Sequence, residues 1–505
     1  MTWSLIWQHL FIVLAASFFS ILVGLPLGVL AYLFPKARTA ILWVADLLQT
    51  IPSLALLGII MVVAGPGKLT VIIGITLYSL LPIVRNTCLG LQEVDPGVKE
   101  AARGMGMGRT YRLFHVEFPL AFSMVFTGVR IAVVNAIGSA VFAAYVGGGG
   151  LGSIITQAIR VSDMGTLLAA TAALMVIAVL LDLGMGWFEN HLEKSHGVSR
   201  RSGAALACLL AAIAISIPFG LRSTTGANEL LLYDGDYSET RVMDRIIQQL
   251  VEEKTDLTVT IQDQMSQVNN FNSLKGDGHS CDLMISYDGT LLTTFLKLDP
   301  TDVPEGESLY DFTNGVALEQ LDMRMLQKLG FDNTYAIAVP QAVADTYGFE
   351  TISDLIPVAG QLTFGAEQEF FTLEGSMKYG PFTEFYGLKF KESIPVDAGL
   401  KYTAIENGSF DVTVVYATDG LNRKAGLKVL EDDLNFFPDY NGAFLIRNDT
   451  LEKFKDAAPE LEEVLNLLAG KISNEDMVEM TYQVDVQGRS ADDVAREFLQ
   501  SLDLL

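Results

Sequence analysis

The first 222 residues hold six apolar runs separated by short charged segments, a pattern with few places to fold other than a lipid bilayer. A helix needs about 20 apolar residues to cross the hydrocarbon core, where every backbone polar group must be satisfied internally. The runs fall at roughly 10–33, 39–64, 69–87, 121–146, 165–187 and 203–221. All carry glycine or other small residues, as packed membrane helices do. The first run starts almost at once. No Lys or Arg precedes it and no small-residue cleavage site follows, so it reads as a retained helix rather than a signal peptide.

Charge divides the chain at the same place. Up to Arg222 there are 14 Lys+Arg and 9 Asp+Glu; beyond it there are 20 and 50, so a basic apolar part precedes a strongly acidic one. Within the apolar part, basic residues collect in alternate loops. Lys36 and Arg38 follow the first run, residues 95–120 follow the third, and Lys194, Arg200 and Arg201 follow the fifth. The positive-inside rule places these loops in the cytoplasm. The N-terminus, the Gly65-Pro66-Gly67 turn and everything beyond Leu221 are then extracytoplasmic, with the last run acting as a tether. Three cysteines, Cys88, Cys208 and Cys281, are too few and too scattered for a disulfide framework and are expected as free thiols. No phosphate-binding loop is present: Gly65-Pro66-Gly67-Lys68 lacks the leading glycine and the Ser/Thr of that motif.

One charged segment carries most of the functional information. It runs Glu100-Ala101-Ala102, three residues, Gly106, nine residues, then Val116-Glu117-Phe118-Pro119. In spacing it resembles the cytoplasmic coupling loop of ABC-importer permeases, E-A-A, three residues, G, nine residues, I-x-L-P. Small residues let a short helix approach a partner closely, and Gly106 and Pro119 set its exit geometry. The resemblance implies ATPase-coupling roles for Glu100, Ala101, Ala102, Gly106 and Pro119. Within the membrane part, Gln49-Thr50-Ile51-Pro52-Ser53-Leu54-Ala55 and Gly147-Gly148-Gly149-Gly150-Leu151-Gly152 are similar to permeases of the osmoprotectant uptake family, which handles glycine betaine, carnitine and choline. A proline-broken helix and a glycine hinge suit a moving gate.

From Glu229 onward strand-like runs alternate with helical ones, as in Leu230–Tyr233, Arg241–Glu253, Leu257–Ile261 and Asp282–Ile285. That alternation argues for parallel sheets covered by helices. This half resembles the osmoprotectant-binding proteins through Asn333-Thr334-Tyr335-Ala336, Thr351-Ile352-Ser353-Asp354-Leu355, Tyr416-Ala417-Thr418-Asp419-Gly420, and Val429–Asp433 followed by Phe436–Tyr440. The resemblance implies a two-lobed, type II periplasmic-binding-protein-like α/β domain behind an all-α, type I permease of about six helices. The expected boundaries are a permease at 1–222 with its coupling loop at 95–120, a linker at 223–228, and a binding domain at 229–505. Lobe 1 takes 229–334 and 440–505, lobe 2 takes 335–439, and the crossings lie near Asn333–Val339 and Pro438–Phe444.

In that family a quaternary ammonium sits in a box of tyrosines. A trimethylammonium has no N–H to donate, so aromatic faces must supply both negative quadrupole density and apolar contact. Carried over residue by residue, the box is Tyr287, Tyr335, Tyr416 and Tyr440, with Thr290, Gly235 and Asp236 beside it. Family members that bind betaine anchor its carboxylate on basic or polar residues in two stretches, here 233–239 and 369–375. Neither holds a Lys or Arg, and the first carries Asp234 and Asp236 instead. Either Thr290 or backbone amides hold a carboxylate, or the ligand is a choline-like cation.

The resemblance therefore implies the membrane subunit of an ATP-driven importer with a fused receptor. It is no enzyme itself and has no cofactor or metal of its own. ATP and Mg would sit on a separate ATPase chain, and two copies of the present chain would pair with two ATPase subunits in the plasma membrane. Its cargo is a quaternary-ammonium compound, with ergothioneine or another small betaine or cation as the alternative. A membrane-tethered chemosensor would not need the coupling segment. An enzyme is disfavoured because, of five histidines, only His279 lies in the acidic half, with no nucleophile–base or metal-ligand spacing around it.

Overall fold

A computed structural model describes residues 3–194 and 228–505 except 162, 277–279, 373–374 and 399. The sixth apolar run, Cys208, Arg200, Arg201, His279, nearly all of the linker and Leu373 lie outside the described residues. The chain separates into two compact units, a membrane unit and a binding unit.

The described residues up to 194 form helices: α1 (Trp3–Leu33), α2 (Pro35–Thr50), α3 (Ser53–Ala64), α4 (Lys68–Tyr78), α5 (Leu80–Glu93), α6 (Pro96–Gly104), α7 (Arg109–Arg112), a π-type turn (Leu113–Glu117), α8 (Phe118–Ser139), a 3-10 segment (Ala140–Val146), α9 (Leu151–Arg160) and α10 (Met164–Lys194), with residues 156–164 grouped with the binding unit. Four stretches are long and apolar enough to cross a membrane: Trp3–Leu33, Lys68–Glu93, Arg109–Val146 and Met164–Glu189. The run expected at 39–64 is not one straight span. Pro52 has no N–H and disfavours helix at Ile51, so α2 and α3 meet at a bend of 100°. Counting that pair as one span gives five among the described residues.

Small residues bring α1, α5 and α8 together. A Cβ on Gly28 would stand 2.5 Å from the Thr87 side chain and 2.9 Å from the Val84 carbonyl. One on Gly128 would meet the Pro82 carbonyl at 2.6 Å. Between lipid-soluble helices there is little hydrophobic drive, so close backbone approach supplies the association energy. Cys88 is a buried free thiol in this layer, and Cys281 is one in the binding unit.

Among its described residues the binding unit holds ten strands: β1 (Glu229–Gly235), β2 (Thr258–Met265), β3 (Leu283–Tyr287), β4 (Met323–Met325), β5 (Tyr335–Pro340), β6 (Thr363–Glu367), β7 (Glu392–Val396), β8 (Val412–Tyr416), β9 (Leu427–Val429) and β10 (Gly442–Arg447). One lobe contains parallel β1–β2 and the sheet β3-β10-β4; the other has the order β7-β6-β8-β5-β9. The expectation of parallel sheets holds for β1–β2, β6–β7 and β6–β8. It fails for β5 and β10, which run antiparallel to every neighbour. These two strands follow the segments that carry the chain between lobes, and they enter each sheet against its direction.

The crossings are hydrogen-bonded to one another. The Asn333 N–H donates to the Tyr440 carbonyl at 3.0 Å, the Gly442 N–H to the Phe331 carbonyl at 3.2 Å, and the Thr334 hydroxyl to the Pro438 carbonyl at 2.8 Å. Each lobe has its own core. One is aliphatic around Leu230, Ile246, Ile285 and Phe444; the other is rich in phenylalanine around Phe364, Phe370, Phe382 and Phe437.

The α1–α5 contact generates a test. Gly28→Leu has nowhere to place its side chain and should cost about 1–3 kcal/mol. Thermal unfolding of the detergent-solubilised full chain should show a lowered midpoint, whereas Gly58→Leu, with open space around it, should leave the midpoint in place.

Candidate functional site

Each sequence-selected tyrosine sits where a strand meets the cleft. Tyr287 ends β3, Tyr335 begins β5, Tyr416 ends β8, and Tyr440 lies two residues before β10. Tyr335 and Tyr416 are register partners across β5 and β8, with ring centroids 5.2 Å apart. Tyr287 and Tyr440 pair from the other lobe at 6.0 Å. All four line one cavity of about 540 Å³. Gly289 makes room for this arrangement, because a Cβ there would stand 1.9 Å from the Tyr440 ring.

Of the remaining sequence-selected residues, Asp236 and Thr290 also line the cavity. Thr290 donates to the Tyr440 hydroxyl at 3.1 Å and so holds a cage ring. Gly235 is a correction: it is not part of the wall. Its N–H donates to Asp244 at 3.0 Å, and a Cβ would fall 1.8 Å from the Thr240 hydroxyl. Glycine is needed there for close packing, not for contact with a ligand.

The wall also holds residues that motif spacing did not find. Glu239 lies in the first turn of the helix Ser238–Lys254, a place where an acid ordinarily faces water and complements the helix dipole. Here it is 3% exposed. One oxygen accepts from the Tyr287 hydroxyl and from Asn333 Nδ2 at 3.1 Å, and the other accepts from the Thr418 hydroxyl. The Tyr237 hydroxyl donates in turn to the Tyr287 hydroxyl at 3.2 Å. A hydrogen-bonded chain thus fixes a cage ring and joins elements of both lobes.

Lys401 supplies the cation that the two scanned stretches lack. It is 3% exposed and pairs with Glu367 at 2.7 Å. It also donates to the Val414 carbonyl at 2.9 Å and lies 5.4 and 6.0 Å from the ring centroids of Tyr402 and Tyr416. Among the described residues the wall has four carboxylates (Asp236, Glu239, Glu367 and Asp419) against this one basic side chain. The cavity is therefore acidic and aromatic together. The described residues hold no cluster of metal-ligating side chains.

In the coupling segment, Asp95 caps α6 by accepting from the Gly97 and Val98 N–H groups at 2.6 and 3.3 Å. Glu100, Ala101 and Gly106 are exposed, and Gly106 has φ 81°, a left-handed conformation natural to glycine. Pro119 lies in the first turn of α8, directly after the π-type turn. Ala102 is a correction to the expected partner-facing set. At 1% exposure it faces its own unit, because the helical period turns it inward.

Comparisons with known proteins bear on the family of the chain. Residues 233–501 match the family described as the substrate binding domain of ABC-type glycine betaine transport systems. Residues 20–194 match the binding-protein-dependent transport system inner membrane component. The ergothioneine transport permease/ergothioneine binding protein of Helicobacter pylori is 32% identical over 97% of this chain and 88% of its own. The carnitine transport binding protein of Listeria monocytogenes is 34% identical over 52% of this chain and 83% of its own. A crystal structure titled as a glycine betaine/carnitine/choline ABC transporter covers 55% of this chain and 99% of that one, at 29% identity and a TM-score of 0.48.

Glu239 yields a measurable pH dependence. Burial pushes its carboxyl from the usual 4.5 up to about 7, against the opposing effect of the three donors. Between those values the folded domain keeps a proton that the unfolded chain releases. Its contribution is therefore fully present below about pH 4.5 and is lost as pH rises to 7, a change of about 3 kcal/mol. Denaturant titrations at both ends of that window should show the wild-type chain losing stability relative to Glu239→Gln as pH rises. Parallel profiles would mean the carboxyl titrates normally.

Proposed function

Since the chain belongs to the ABC importers whose permease and substrate-binding domain form one polypeptide, we propose that its tyrosine cage captures a quaternary-ammonium compound for ATP-driven uptake. The family makes it a multi-pass membrane subunit with an extracytoplasmic receptor domain. In this reading a separate ATPase chain binds ATP and Mg and docks on the exposed face of residues 100–119. Two copies of the present chain assemble with two ATPase subunits.

The observation that carries the substrate class is the convergence of Tyr287, Tyr335, Tyr416 and Tyr440 on one acidic cavity. In this reading the four rings enclose a cation that offers no N–H, and Asp236 and Asp419, with Glu239 when ionised, supply the opposite charge. This balance supports a choline-like cation ahead of a zwitterionic betaine. A second reading is ergothioneine, supported by the name of the Helicobacter pylori relative. Wall carboxylates would accept the ring N–H groups of such a ligand, and Lys401 would meet its carboxylate.

Calorimetric titration of the full chain in lipid nanodiscs with choline, glycine betaine, carnitine and ergothioneine separates these readings. Choline should bind more tightly than glycine betaine. Tightest binding of ergothioneine would favour the second reading, and binding of none of the four would sink the class. Each Tyr→Ala change should weaken binding several-fold or more, at about 0.5–2 kcal/mol per ring. Tyr416→Phe should cost little. Tyr287→Phe should cost more, because it strips a donor from buried Glu239.

The coupling role is tested separately. Gly106→Val places a β-branched residue at positive φ. It should abolish uptake and substrate-stimulated ATP hydrolysis in the reconstituted transporter while ligand affinity is unchanged. Surviving uptake would remove residues 100–119 from the coupling path.

A further inference from the structure

The C-terminal end of α1 is gripped by the coupling segment at several points. The Tyr32 hydroxyl donates to Glu117 at 2.8 Å, and Glu117 accepts from Arg112 Nε at 2.6 Å on its other oxygen. The side chains of this ion pair are 2% and 11% exposed. Arg109 donates to the Leu33 carbonyl, the last of α1, at 2.7 Å. Lys99 of α6 lies 5.4 Å from the Tyr32 ring centroid while donating to the Leu91 and Gln92 carbonyls of α5. Residues from α6, α7 and the π-type turn thus converge on two residues of one helix.

The other end of α1 is tied just as specifically to the glycine-rich turn. The Gly150 N–H donates to Gln8 Oε1 at 3.2 Å. Buried His9 is hydrogen-bonded to the Ile137 carbonyl near the end of α8 at 3.2 Å. A Cβ on Gly150 would stand 3.3 Å from the His9 ring, so turn and helix are already in contact. Between these ends α1 is helical over 31 residues, about 46 Å, with Pro26 inside it removing one backbone hydrogen bond. It packs along α5 through Gly24 and Gly28.

We propose that α1 is the rod through which movement of the coupling segment reaches the Gly147–Gly150 turn, with Tyr32 and Glu117 as its cytoplasmic joint. The inference rests on the reading that an ATPase chain docks on residues 100–119. Glu117 occupies the unspecified position of the I-x-L-P motif, so the coupling pattern itself gives it no role. A buried carboxylate that loses a partner is costly, so the joint transmits displacement instead of slipping. Rigid helices with packed ends convert a small shift at one site into a defined shift at another.

The test uses the transporter reconstituted with its ATPase subunit, measuring ligand affinity, basal ATPase, substrate-stimulated ATPase and uptake. Tyr32→Phe removes one hydroxyl and leaves the ring and the Arg112–Glu117 pair. Stimulation and uptake should fall about five-fold or more while basal ATPase and affinity stay at wild-type values. Gln8→Ala at the far end should give the same split. Glu117→Gln should follow Tyr32→Phe if the protein folds. Wild-type uptake by Tyr32→Phe, or a parallel fall in basal and stimulated ATPase, overturns the joint. Uncoupling by Tyr32→Phe but not by Gln8→Ala overturns the rod. Failure of the unaltered chain to assemble with any ATPase would instead remove the docking reading beneath both.

Discussion

The binding unit depends on a carboxylate that is almost wholly buried in the cavity wall. Glu239 is useful because burying it is costly: an acid in that position is stable only if donors converge on it. They come from Tyr287 at the end of β3, from Asn333 at the crossing into the second lobe, and from Thr418 just beyond β8. No other residue need know of the ligand for the cage to assemble. Satisfying this one group aligns a ring from one lobe, the hinge, and the loop after Tyr416 from the other. Both crossings must pass the same point to supply Asn333 and Tyr440, and they do so bonded to each other.

The membrane unit solves its packing problem by the opposite means, removing side chains instead of satisfying them. Gly24, Gly28 and Gly128 let backbones and side chains of α1, α5 and α8 come within ordinary contact distance, which any Cβ would prevent. Some of its charged groups are paired, as in Arg112 with Glu117 and Arg130 with Asp182. Breaks in regular helix fall at Ile51-Pro52, at the π-type turn before Phe118, and at the 3-10 segment leading to Gly147. In a bundle of otherwise stiff elements these are the places where rearrangement is cheapest.

The sequence made some of this plain and hid the rest for physical reasons. Apolar run length revealed four of the helices, because lipid imposes it. The four tyrosines were picked out by resemblance to the family's motifs, and the structure places all four on one cavity. Glu239 and Lys401 were not legible. Each is a charged residue in the first turn of a helix, locally indistinguishable from the solvated acids and lysines around it. Only the fold buries them. Gly235 looked like a cavity residue through its neighbour Asp236, yet its glycine answers to Thr240. Ala102 looked like a docking residue because the motif names it, while one-third of a helical turn separates inward from outward.

Lys401 bears directly on the ligand's charge. The lack of a base in 233–239 and 369–375 does not leave the cavity without a cation, since one arrives from the helix Lys401–Glu406. Its charge is already committed to Glu367, however, in a pair whose lysine side chain is 4% exposed. A zwitterion whose carboxylate drew Lys401 away would leave Glu367 without its partner in a confined space. Breaking a fully buried pair costs about 3–5 kcal/mol, and less here because the Glu367 side chain is 20% exposed. A pure cation asks for no such exchange: it enters a ring of tyrosines whose wall already carries Asp236, Glu239 and Asp419. Binding it would also favour the ionised form of Glu239, a carboxyl that burial alone holds near pH 7. On the proposed reading, the acid surplus favours a cation over a zwitterion even with a lysine in the wall.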